Sequence, residues 1–452
     1  MPASIRAAKL DQYRGYVMSG LPQRSKKFFY RPLKAAAAQF RTFKDPTERW
    51  AAMASYIVST AARASLAHAV GVPFVAASWD NAVHFSVMAV SANQDSFSQR
   101  LIRWQRAHGR HDLPWQTRPS DPYRVWLSEI MLQQTQVTTV IDYFHRFTQR
   151  FPSLASLAQA DEQTVLALWS GLGYYQRARN LLACAREVMS QHGGRFPESA
   201  VALARLPGIG PSTAAAIAST VYGERAAILD GNVKRVLARI TCAEAPWASL
   251  TLERALAQEA QRRLPDRTQD MPAYTQAIMD LGAMICRPRQ PLCDRCPVQS
   301  DCRARAHDAV DRYPVARIKK ALPQRQAYWA ICCDAQSVWL MQQPTSGIWP
   351  GLWLPWRIAP EALPRDWSVT VKNLQEIIEI RHSFTHYRLQ ISAAVIAWPG
   401  SRRPKGAPPE LQPFSWPQAL ALPLPAPVTR LLSKLCPAGI KNGVVPSTNR
   451  RP

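Results

Sequence analysis

The sequence predicts a multidomain protein in which an all-α domain precedes a smaller α+β domain, and three observations predict this fold class. The chain has 452 residues, of which 47% are hydrophobic, enough for two or three domains with cores. From Asp121 to about Arg305, apolar residues recur at helical spacing between Gly and Pro breaks. After Ala327 the period becomes that of strands, first in Tyr328–Cys333 and Val338–Gln342.

Residues 1–87 are unlike the rest of the chain. They contain 12 Lys and Arg against 4 Asp and Glu and carry no recognisable motif. We expect the functional protein to begin at or near Met88, which makes this segment an over-extended start. A basic, acid-poor organellar presequence is the alternative.

The helical domain is predicted over residues 95–305. Asp121 followed by Pro122 is typical of a helix start, with an N-cap acid and proline at the first helical position. The predicted helices are Phe97–Arg106, Tyr123–Tyr143, Ser153–Trp169, Gln176–Gln191, Ser212–Tyr222 and Val233–Ile240.

The remaining segments are a linker, the α+β domain and a tail. Residues 306–326 are basic and contain proline, which predicts a linker. The α+β domain is predicted over 327–436, with His386–Ala397 as later strand material and Gln375–Ile380 left undecided. Residues 437–452 are predicted to be a disordered tail.

The charge of the chain indicates its class of partner. Lys and Arg number 56 against 31 Asp and Glu, a formal charge of +25, which favours nucleic acid. No stretch offers 18 uncharged apolar residues, so we expect no membrane partner. No secretory signal is recognisable, so the expected location is cytoplasmic, or mitochondrial or nuclear if residues 1–87 are a presequence.

A glycine-containing turn, Leu206-Pro207-Gly208-Ile209-Gly210, precedes the Ala-rich helix that contains Ser212. The glycines permit a tight turn, and the free N–H groups and positive end of the helix suit a phosphate. An ordinary helix–helix corner explains these residues equally well. The charge and the downstream motifs favour a helix-hairpin-helix that binds a DNA phosphate.

Two acidic residues are candidates for catalysis. Glu129 lies on a predicted helix beside Val125 and Trp126, and such neighbours raise a carboxyl pKa, as a general acid requires. A partly solvated surface glutamate is the alternative. Asp230 follows the glycine-containing turn by about twenty residues. It either lies near the open end of that turn or caps the next helix. The two roles are compatible, since a capping aspartate remains ionised.

Four of the nine cysteines lie within residues 286–302, as Cys286, Cys293, Cys296 and Cys302. In a large chain this crowding indicates a metal centre rather than disulfides. The spacing alone does not separate zinc from an iron–sulfur cluster, because both take four cysteines.

In this order, these elements resemble the helix-hairpin-helix DNA glycosylase superfamily, and in detail its adenine DNA glycosylases of the MutY type. The resemblance is dense over about residues 95–305, looser over 327–436 and absent from 1–87. The segments that carry it are Leu113-Pro114-Trp115, Pro122–Val137, Gly171-Leu172-Gly173-Tyr174-Tyr175, Leu229–Arg239 and Asp280–Cys286.

The resemblance implies a monomer that removes adenine mispaired with 8-oxoguanine or guanine in double-stranded DNA. It implies a [4Fe–4S] cluster on the four cysteines. Glu129 would protonate N7 of the flipped adenine, and Asp230 would stabilise the oxocarbenium-like sugar. Ser212 stands where related glycosylase/lyases have a Schiff-base lysine, which implies hydrolysis without efficient strand cleavage.

The resemblance also implies the contacts with DNA. Tyr174 matches the wedge that enters the stack beside the oxidised base. Gln276 matches a contact to the flipped adenine, and Lys234 is a phosphate contact or an adventitious trap for the aldehyde. The other implied contacts are Gln134 and Thr135 at the opposite base and Gly208, Gly210 and Ser212 at the hairpin.

Residues 327–436 resemble the Nudix-like domain of the same family, through Gln343–Leu352 and Arg381–His386. That family reads 8-oxoguanine with a Phe-Ser-His loop, and the matching residues here are Phe384, Thr385 and His386. Compared with the serine of the family, Thr385 keeps the hydroxyl group and adds a methyl group. No Glu-rich pyrophosphatase box follows Gly351, which argues against nucleotide hydrolysis, since Mg²⁺ needs clustered carboxylates.

Three other functions fit parts of the sequence. A pyrimidine-specific glycosylase/AP lyase of the same superfamily is disfavoured by Ser212 and by the additional C-terminal domain. A non-catalytic, metal-stabilised DNA-binding protein would tolerate substitution of Glu129 and Asp230. A Nudix hydrolase with a DNA-binding appendage is disfavoured by the missing Glu-rich box.

Overall fold

A computed structural model describes residues 96–316, 321–358, 374–398, 402–404 and 406–437 of the chain. The predictions for residues 1–87 and for the tail after 437 lie outside the described residues. The part from Asp95 onward groups into one compact unit, in which a helical domain precedes a domain built on a sheet.

Short α-helices joined by tight turns make up the helical domain. Among the described residues, no helix is both long and apolar enough to cross a lipid bilayer. A π-helical turn (Leu281–Ile285) ends the last long helix, and 3₁₀ turns occupy Thr268–Asp270, Cys293–Arg295, Gln299–Asp301 and Val310–Arg312. The helices are α1 (Phe97–His108), α2 (Pro122–Leu132), α3 (Val137–Arg150), α4 (Leu154–Ala158), α5 (Glu162–Trp169), α6 (Gln176–Gln191), α7 (Ala200–Leu203), α8 (Pro211–Val221), α9 (Gly231–Thr241), α10 (Leu250–Arg262), α11 (Met271–Asp280) and α12 (Arg303–Ala306).

Helix α2 begins as the sequence predicted. Its N-cap, Asp121, accepts a hydrogen bond from the N–H of Tyr123 at 2.9 Å, and Pro122 occupies the first helical position. The predicted helix Gln176–Gln191 is confirmed as α6.

Two of the predicted helices are wrong in length, because each divides in two. Tyr123–Tyr143 breaks into α2 and α3 where Gln134 adopts a positive φ of 57°. Ser153–Trp169 breaks into α4 and α5 where Asp161 caps a new helix by accepting from the N–H of Thr164. The apolar period continues across both breaks, so periodicity alone does not reveal them.

The C-terminal domain is built on a sheet with the strand order β3-β2-β1-β6-β5. Strands β1 and β6 run parallel over ten residue pairs, and β5 pairs antiparallel with β6. Strand β4 adds to β1 and β7 to β2. The described strands are β1 (Gln324–Cys333), β2 (Ser337–Gln342), β3 (Trp353–Leu354), β4 (Trp356–Ile358), β5 (Leu374–Ser383), β6 (Arg388–Ala397) and β7 (Gln412–Ser415), followed by helices α13 (Trp416–Ala421) and α14 (Ala426–Leu435).

The first two predicted strands are confirmed, and the undecided segment 375–380 is strand, within β5. Because β1 begins at Gln324, the end of the predicted linker is strand. Helices α13 and α14 were not predicted. Pro417 and Pro427 lie in their first turns, where a helix tolerates proline, but their presence obscured the helical pattern.

One hydrophobic cluster extends from the helices into the sheet domain. It includes Trp126 and Trp169 from the helices and Trp329, Leu352 and Leu424 from the C-terminal domain. A second cluster joins α1 to the helices from α8 to α11. The apolar core therefore continues across the boundary between the two domains.

The turn between α7 and α8 is held by one glycine. Gly208 has a φ of 76°, and a Cβ there would lie 2.7 Å from the Cβ of Asn180 on α6. Gly210, the N-cap of α8, has an ordinary φ of −79°, and a Cβ there would meet nothing within 4 Å. Only Gly208 is required by backbone conformation and space.

We expect Gly208→Ala to lower the free energy of unfolding by about 2 kcal/mol, because Ala is strained at positive φ. Gly210→Ala is the matched control, and we expect it to change the free energy of unfolding by less than about 1 kcal/mol, because the entropy gain of Ala at an ordinary φ is offset by its weakness as an N-cap. Urea denaturation of both variants measures the difference. Equal effects of the two substitutions would contradict this account of the turn.

Candidate active site and metal centre

A cavity of about 540 Å³ opens in the helical domain. Ser128 and Glu129 of α2 line it, together with Gln276 of α11. Leu113 and Trp115, from the connection between α1 and α2, add apolar wall. Its volume is within the range of small-molecule sites, so it has room for a nucleobase.

Glu129 is the only acid among the described residues that line this cavity. Burial, and to a smaller extent the nearby charge of Asp230, together raise the pKa of Glu129 from its ordinary value of 4.5 to about 7. The direction agrees with the expectation from its apolar neighbours on α2. The carboxyl group can therefore hold a proton near neutral pH and release it to a bound group.

Asp230 lies close enough to Glu129 for their charges to interact, although it does not itself line the cavity. It is the N-cap of α9, and its carboxylate oxygens accept hydrogen bonds from the N–H of Val233 at 2.7 Å and from Asn232 Nδ2 at 3.4 Å. The capping role and the location near Glu129 coexist, as the sequence allowed. The two carboxyl groups are thus in different environments, since that of Glu129 is desolvated and that of Asp230 accepts hydrogen bonds at the start of α9.

Ser212 helps to place Asp230. Its Oγ, in the first turn of α8, accepts a hydrogen bond from the N–H of Leu229 at 3.0 Å. This bond ties the helix that follows the glycine turn to the residue before the aspartate. A small hydroxyl at this position therefore has a structural partner.

Gln276 is oriented by Asp280, a residue to which the sequence gave no role. Asp280 is fully buried and accepts from Gln276 Nε2 at 2.9 Å and from the backbone N–H and Nε of Arg110 at 3.0 and 2.8 Å. Because the amide nitrogen of Gln276 faces Asp280, its carbonyl oxygen is left as an acceptor for a ligand. Asp280 lies inside a segment of family likeness, but the partnership with Arg110 joins distant parts of the chain and has no local signal.

Arg177 of α6 is a second residue that the sequence analysis missed. Its buried guanidinium joins the end of α2 to the loop that carries Tyr174, and burial lowers its pKa to about 10. The guanidinium also lies over the rings of Trp169 and Tyr174, at 5.3 and 5.6 Å. Its hydrogen-bond acceptors are the carbonyl oxygens of Ile130, Met131, Gln133, Leu172 and Gly173 and Oγ1 of Thr135.

Two surface features lie on either side of this arginine. Gln134 is exposed in the turn between α2 and α3, whereas Thr135 is half-buried and already bonded to Arg177. Tyr174 has a φ of 49°, is 47% exposed and follows two glycines with positive φ, Gly171 and Gly173. Arg177 therefore brings the predicted Gln134–Thr135 and Tyr174 positions into one framework.

Lys234 and the 384–386 segment lie outside the cavity. Lys234, on α9, forms an ion pair with Glu253 of α10. Thr385 and His386 are exposed in the turn between β5 and β6, and the ring of Phe384 stacks on Tyr387 with centroids 4.6 Å apart. The turn thus presents a hydroxyl group and an imidazole ring next to two stacked aromatic side chains.

The four cysteines of the 286–302 loop come together in space. Their charges influence one another, and burial raises the pKa of the Cys293, Cys296 and Cys302 thiols, that of Cys296 to about 12. Ionised thiolates here therefore need positive charge nearby, which a metal centre supplies. Arg239, 2% exposed, contributes a guanidinium whose Nη1 lies 3.2 Å from the Sγ of Cys286.

The chemistry of these thiols bears on the kind of centre. The interacting charges of Cys286, Cys293, Cys296 and Cys302 show that the four thiols are near neighbours. Four cysteine thiolates are the donor set of an iron–sulfur cluster as well as of a structural zinc site. The residues present therefore fit a four-iron cluster.

The cysteine loop is also connected to Asp230. Arg235 of α9 donates to the carbonyl oxygens of Cys286 and Gly282 at 2.8 and 2.7 Å, and to Asn232 Oδ1 at 2.9 Å. Asn232 in turn donates to Asp230. The N-terminal part of α9 therefore carries both the capping aspartate and, at Arg235, a direct attachment to the cysteine loop.

Comparisons with known proteins agree with this architecture. Residues 127–260 match the profile of HhH-GPD superfamily base excision DNA repair proteins, and residues 327–434 match the NUDIX domain. The chain is 36% identical over 307 residues to an adenine DNA glycosylase of Buchnera aphidicola subsp. Acyrthosiphon pisum, covering 67% of this chain and 87% of that protein. The chain belongs to the adenine DNA glycosylase family. It is also 33% identical over 387 residues to the adenine DNA glycosylase of Homo sapiens, covering 70% of each.

Among solved structures, a thermostable thymine-DNA glycosylase matches with a TM-score of 0.40 and 28% identity, covering 47% of this chain and 95% of that one. Family membership confirms the predicted fold class and enzyme class. The chain is a base-excision DNA glycosylase with a helix-hairpin-helix domain, a Nudix-like C-terminal domain and DNA as its partner.

We expect Glu129→Gln to change how stability depends on pH. Between pH 4.5 and about 7 the folded protein holds a proton on Glu129 that the unfolded chain has lost, so wild-type stability falls as pH rises through this window. Gln resembles the protonated form and lacks this fall. The free energy of unfolding of the variant relative to wild type should therefore rise between pH 4 and 7 and then level off, as urea denaturation can measure. An equal difference at pH 4 and pH 8 would contradict the raised pKa.

Proposed function

We propose that this enzyme excises adenine paired with 8-oxoguanine or guanine in double-stranded DNA and leaves an abasic site. The observation that carries the proposal is Glu129, with its pKa raised to about 7, in a base-sized cavity within electrostatic range of Asp230. A base inside the duplex stack is out of reach of such a cavity, so the adenine must be flipped out to enter it.

The carboxyl groups of Glu129 and Asp230 have different roles in the reaction. Glu129 donates its proton to N7 of adenine, which makes the base a better leaving group. The bond between C1′ and N9 then breaks, and its electron pair stays on the adenine. The carboxylate of Asp230 stabilises the positive charge left on the sugar. Water adds to C1′, and Glu129, now ionised, takes the released proton.

Gln276 recognises the base. Its carbonyl oxygen, left available by the bond from its amide nitrogen to Asp280, accepts from the exocyclic amino group of adenine. Guanine and hypoxanthine have an oxygen at that position, which would face another oxygen. Asp280 therefore supports selection of adenine by fixing which end of the Gln276 amide faces the cavity.

The DNA surface uses groups outside the cavity. The N–H groups at the start of α8, after Gly208 and Gly210, bind a phosphate, and Gln134 and Thr135 approach the opposite base. When DNA binds, Lys234 leaves its ion pair with Glu253 and contacts a phosphate instead. Tyr174 enters the base stack as a wedge, which its exposure and its place directly after Gly171 and Gly173 favour.

The C-terminal domain reads the base opposite the adenine. Phe384 provides a stacking face, and Thr385 and His386 provide hydrogen-bonding groups at an exposed turn. The hydroxyl of Thr385 is 3.4 Å from Nδ1 of His386, so the two side chains act as one polar unit. Recognition of 8-oxoguanine by this turn would account for a preference over guanine.

We further propose that Cys286, Cys293, Cys296 and Cys302 hold a [4Fe–4S] cluster. When bound, the cluster supplies positive charge that keeps the four thiolates ionised and closes the loop between them. Arg287, Arg289, Arg295 and Arg303 belong to that loop or follow it directly, so its closure gathers cations for phosphate binding.

We expect Glu129→Gln to leave duplex binding within about threefold of wild type and to reduce the single-turnover rate of adenine excision by roughly 10²- to 10⁴-fold, the range of general acid catalysis. Asp230→Asn keeps a side chain that can cap α9 but removes the charge, so it tests the electrostatic role in a folded protein. The assay is a duplex containing adenine opposite 8-oxoguanine, cleaved by alkali after incubation.

The exposed Glu244 offers the matched control. Glu244→Gln removes one negative charge outside the cavity lining and should excise adenine at the wild-type rate. Normal excision by Glu129→Gln would show that the proton donor lies elsewhere.

Metal analysis tests the cluster independently of activity. We expect the purified protein to contain about four iron atoms per chain and to show the broad visible absorption of an iron–sulfur cluster. Cys296→Ser should lower the iron content, whereas Cys333→Ser, in the C-terminal domain, should not. A colourless protein with one zinc ion per chain would disprove the assignment.

A further inference from the structure

The C-terminal domain is hydrogen-bonded to both ends of the loop that carries Tyr174. We call residues 170–175, between α5 and α6, the wedge loop. Ser170 Oγ and Tyr175 Oη, at its two ends, both donate to the carbonyl oxygen of Leu424, at 2.7 and 2.6 Å. Leu424 lies between α13 and α14 and is 1% exposed. A single buried carbonyl of the C-terminal domain therefore anchors both ends of the wedge loop.

The two helices that flank the wedge loop are held in the same way. Gln163 of α5 donates to the carbonyl of Gly351 at 3.3 Å and accepts from Trp353 Nε1 at 3.1 Å. Arg179 of α6 donates to the carbonyl of Pro350. These partners lie between β2 and β3 or on β3. These hydrogen bonds of the C-terminal domain therefore surround the loop that presents Tyr174.

Within the wedge loop, little space is left for movement. A Cβ on Gly171 would lie 2.2 Å from Oη of Tyr143, and that hydroxyl donates to the Ser170 carbonyl at 2.7 Å. Arg177 holds the carbonyls of Leu172 and Gly173 from inside the helical domain. Tyr174 is the one large apolar side chain of the described loop that projects to solvent.

We propose that Ser170 and Tyr175 are positioning residues through which the C-terminal domain holds the wedge loop, so that the domain that reads the opposite base also sets where Tyr174 enters the stack. The inference rests on the proposed roles of Tyr174 and residues 384–386. A loop anchored before binding loses less conformational entropy when its tip enters DNA, and this gain is largest when both ends are fixed. The C-terminal domain thereby acts on the wedge without contacting the flipped adenine.

The test uses the full chain with Tyr175→Phe, Ser170→Ala and the double variant. A duplex with 2-aminopurine next to the base opposite the adenine reports entry of the wedge, because 2-aminopurine fluoresces when it is unstacked. We expect the double variant to lose most of the fluorescence rise and to excise adenine about five- to tenfold more slowly, the effect of losing one or two buried hydrogen bonds. The loss should be larger opposite 8-oxoguanine than opposite guanine.

Tyr123→Phe is the matched control, because the Tyr123 hydroxyl is buried and donates to the Phe151 carbonyl at 2.8 Å within the helical domain. It removes an equivalent bond that does not reach the C-terminal domain and should keep the fluorescence rise. If the double variant does not fold, Gln163→Ala tests the same anchoring from a partly exposed position.

The outcomes separate this inference from the proposed function. If Tyr174→Ala abolishes the fluorescence rise while the double variant matches wild type, the anchoring inference is wrong and the proposed role of Tyr174 as a wedge is supported. If Tyr174→Ala leaves the rise unchanged, the wedge and the inference that rests on it are both wrong. A double variant that loses thermal stability but keeps wild-type fluorescence and excision also overturns the inference.

Discussion

Glu129 can hold a proton near neutral pH because its burial in the helical domain disfavours the charged form of its carboxyl group, and the nearby charge of Asp230 adds to this effect. Keeping this carboxyl group buried depends on several parts of the helical domain. Helix α2 must present Glu129 to the cavity while burying Trp126 on its other side, so both its ends need to be fixed. Asp121 fixes the start by capping it, and Arg177 fixes the end by binding its last carbonyl groups. Asp230 then has to be near Glu129 yet remain hydrogen-bonded, which the N-cap of α9 achieves.

The proposed function requires that two bases be recognised at once. In that proposal, the adenine enters a cavity of the helical domain, whereas its partner is read by an exposed turn of the C-terminal domain. A rigid connection between the two would be expected near the point where the base pair is opened. The structure has such a connection at the wedge loop, where hydrogen bonds from Ser170, Tyr175 and Gln163 cross the domain boundary over a continuous apolar core.

The sequence predicted most readily what depends on neighbours along the chain. The cap at Asp121, helix α6, the first two strands and the raised pKa of Glu129 all follow from residues within a few positions. The break at Gln134 was missed because apolar spacing continues past it, and the last two helices because proline disguised them. Asp280 and Arg177 were missed for another reason. Their partners, Arg110 and the end of α2, are distant in sequence, so their roles exist only after the chain has folded.

Three arginines illustrate why contacts between distant parts of the chain matter for a DNA-binding protein. Arg177 and Arg239, which are buried, and Arg235, which is half-buried, are bound mainly by backbone carbonyl oxygens rather than by carboxylates. A carboxylate partner would have satisfied each guanidinium but cancelled its charge. Carbonyl groups satisfy the same donors and leave the positive charge to act on the surroundings, although burial lowers the pKa of Arg177 and Arg235. These residues therefore brace the wedge loop and the cysteine loop without carboxylate partners, and Arg239 keeps its positive charge for the Sγ of Cys286.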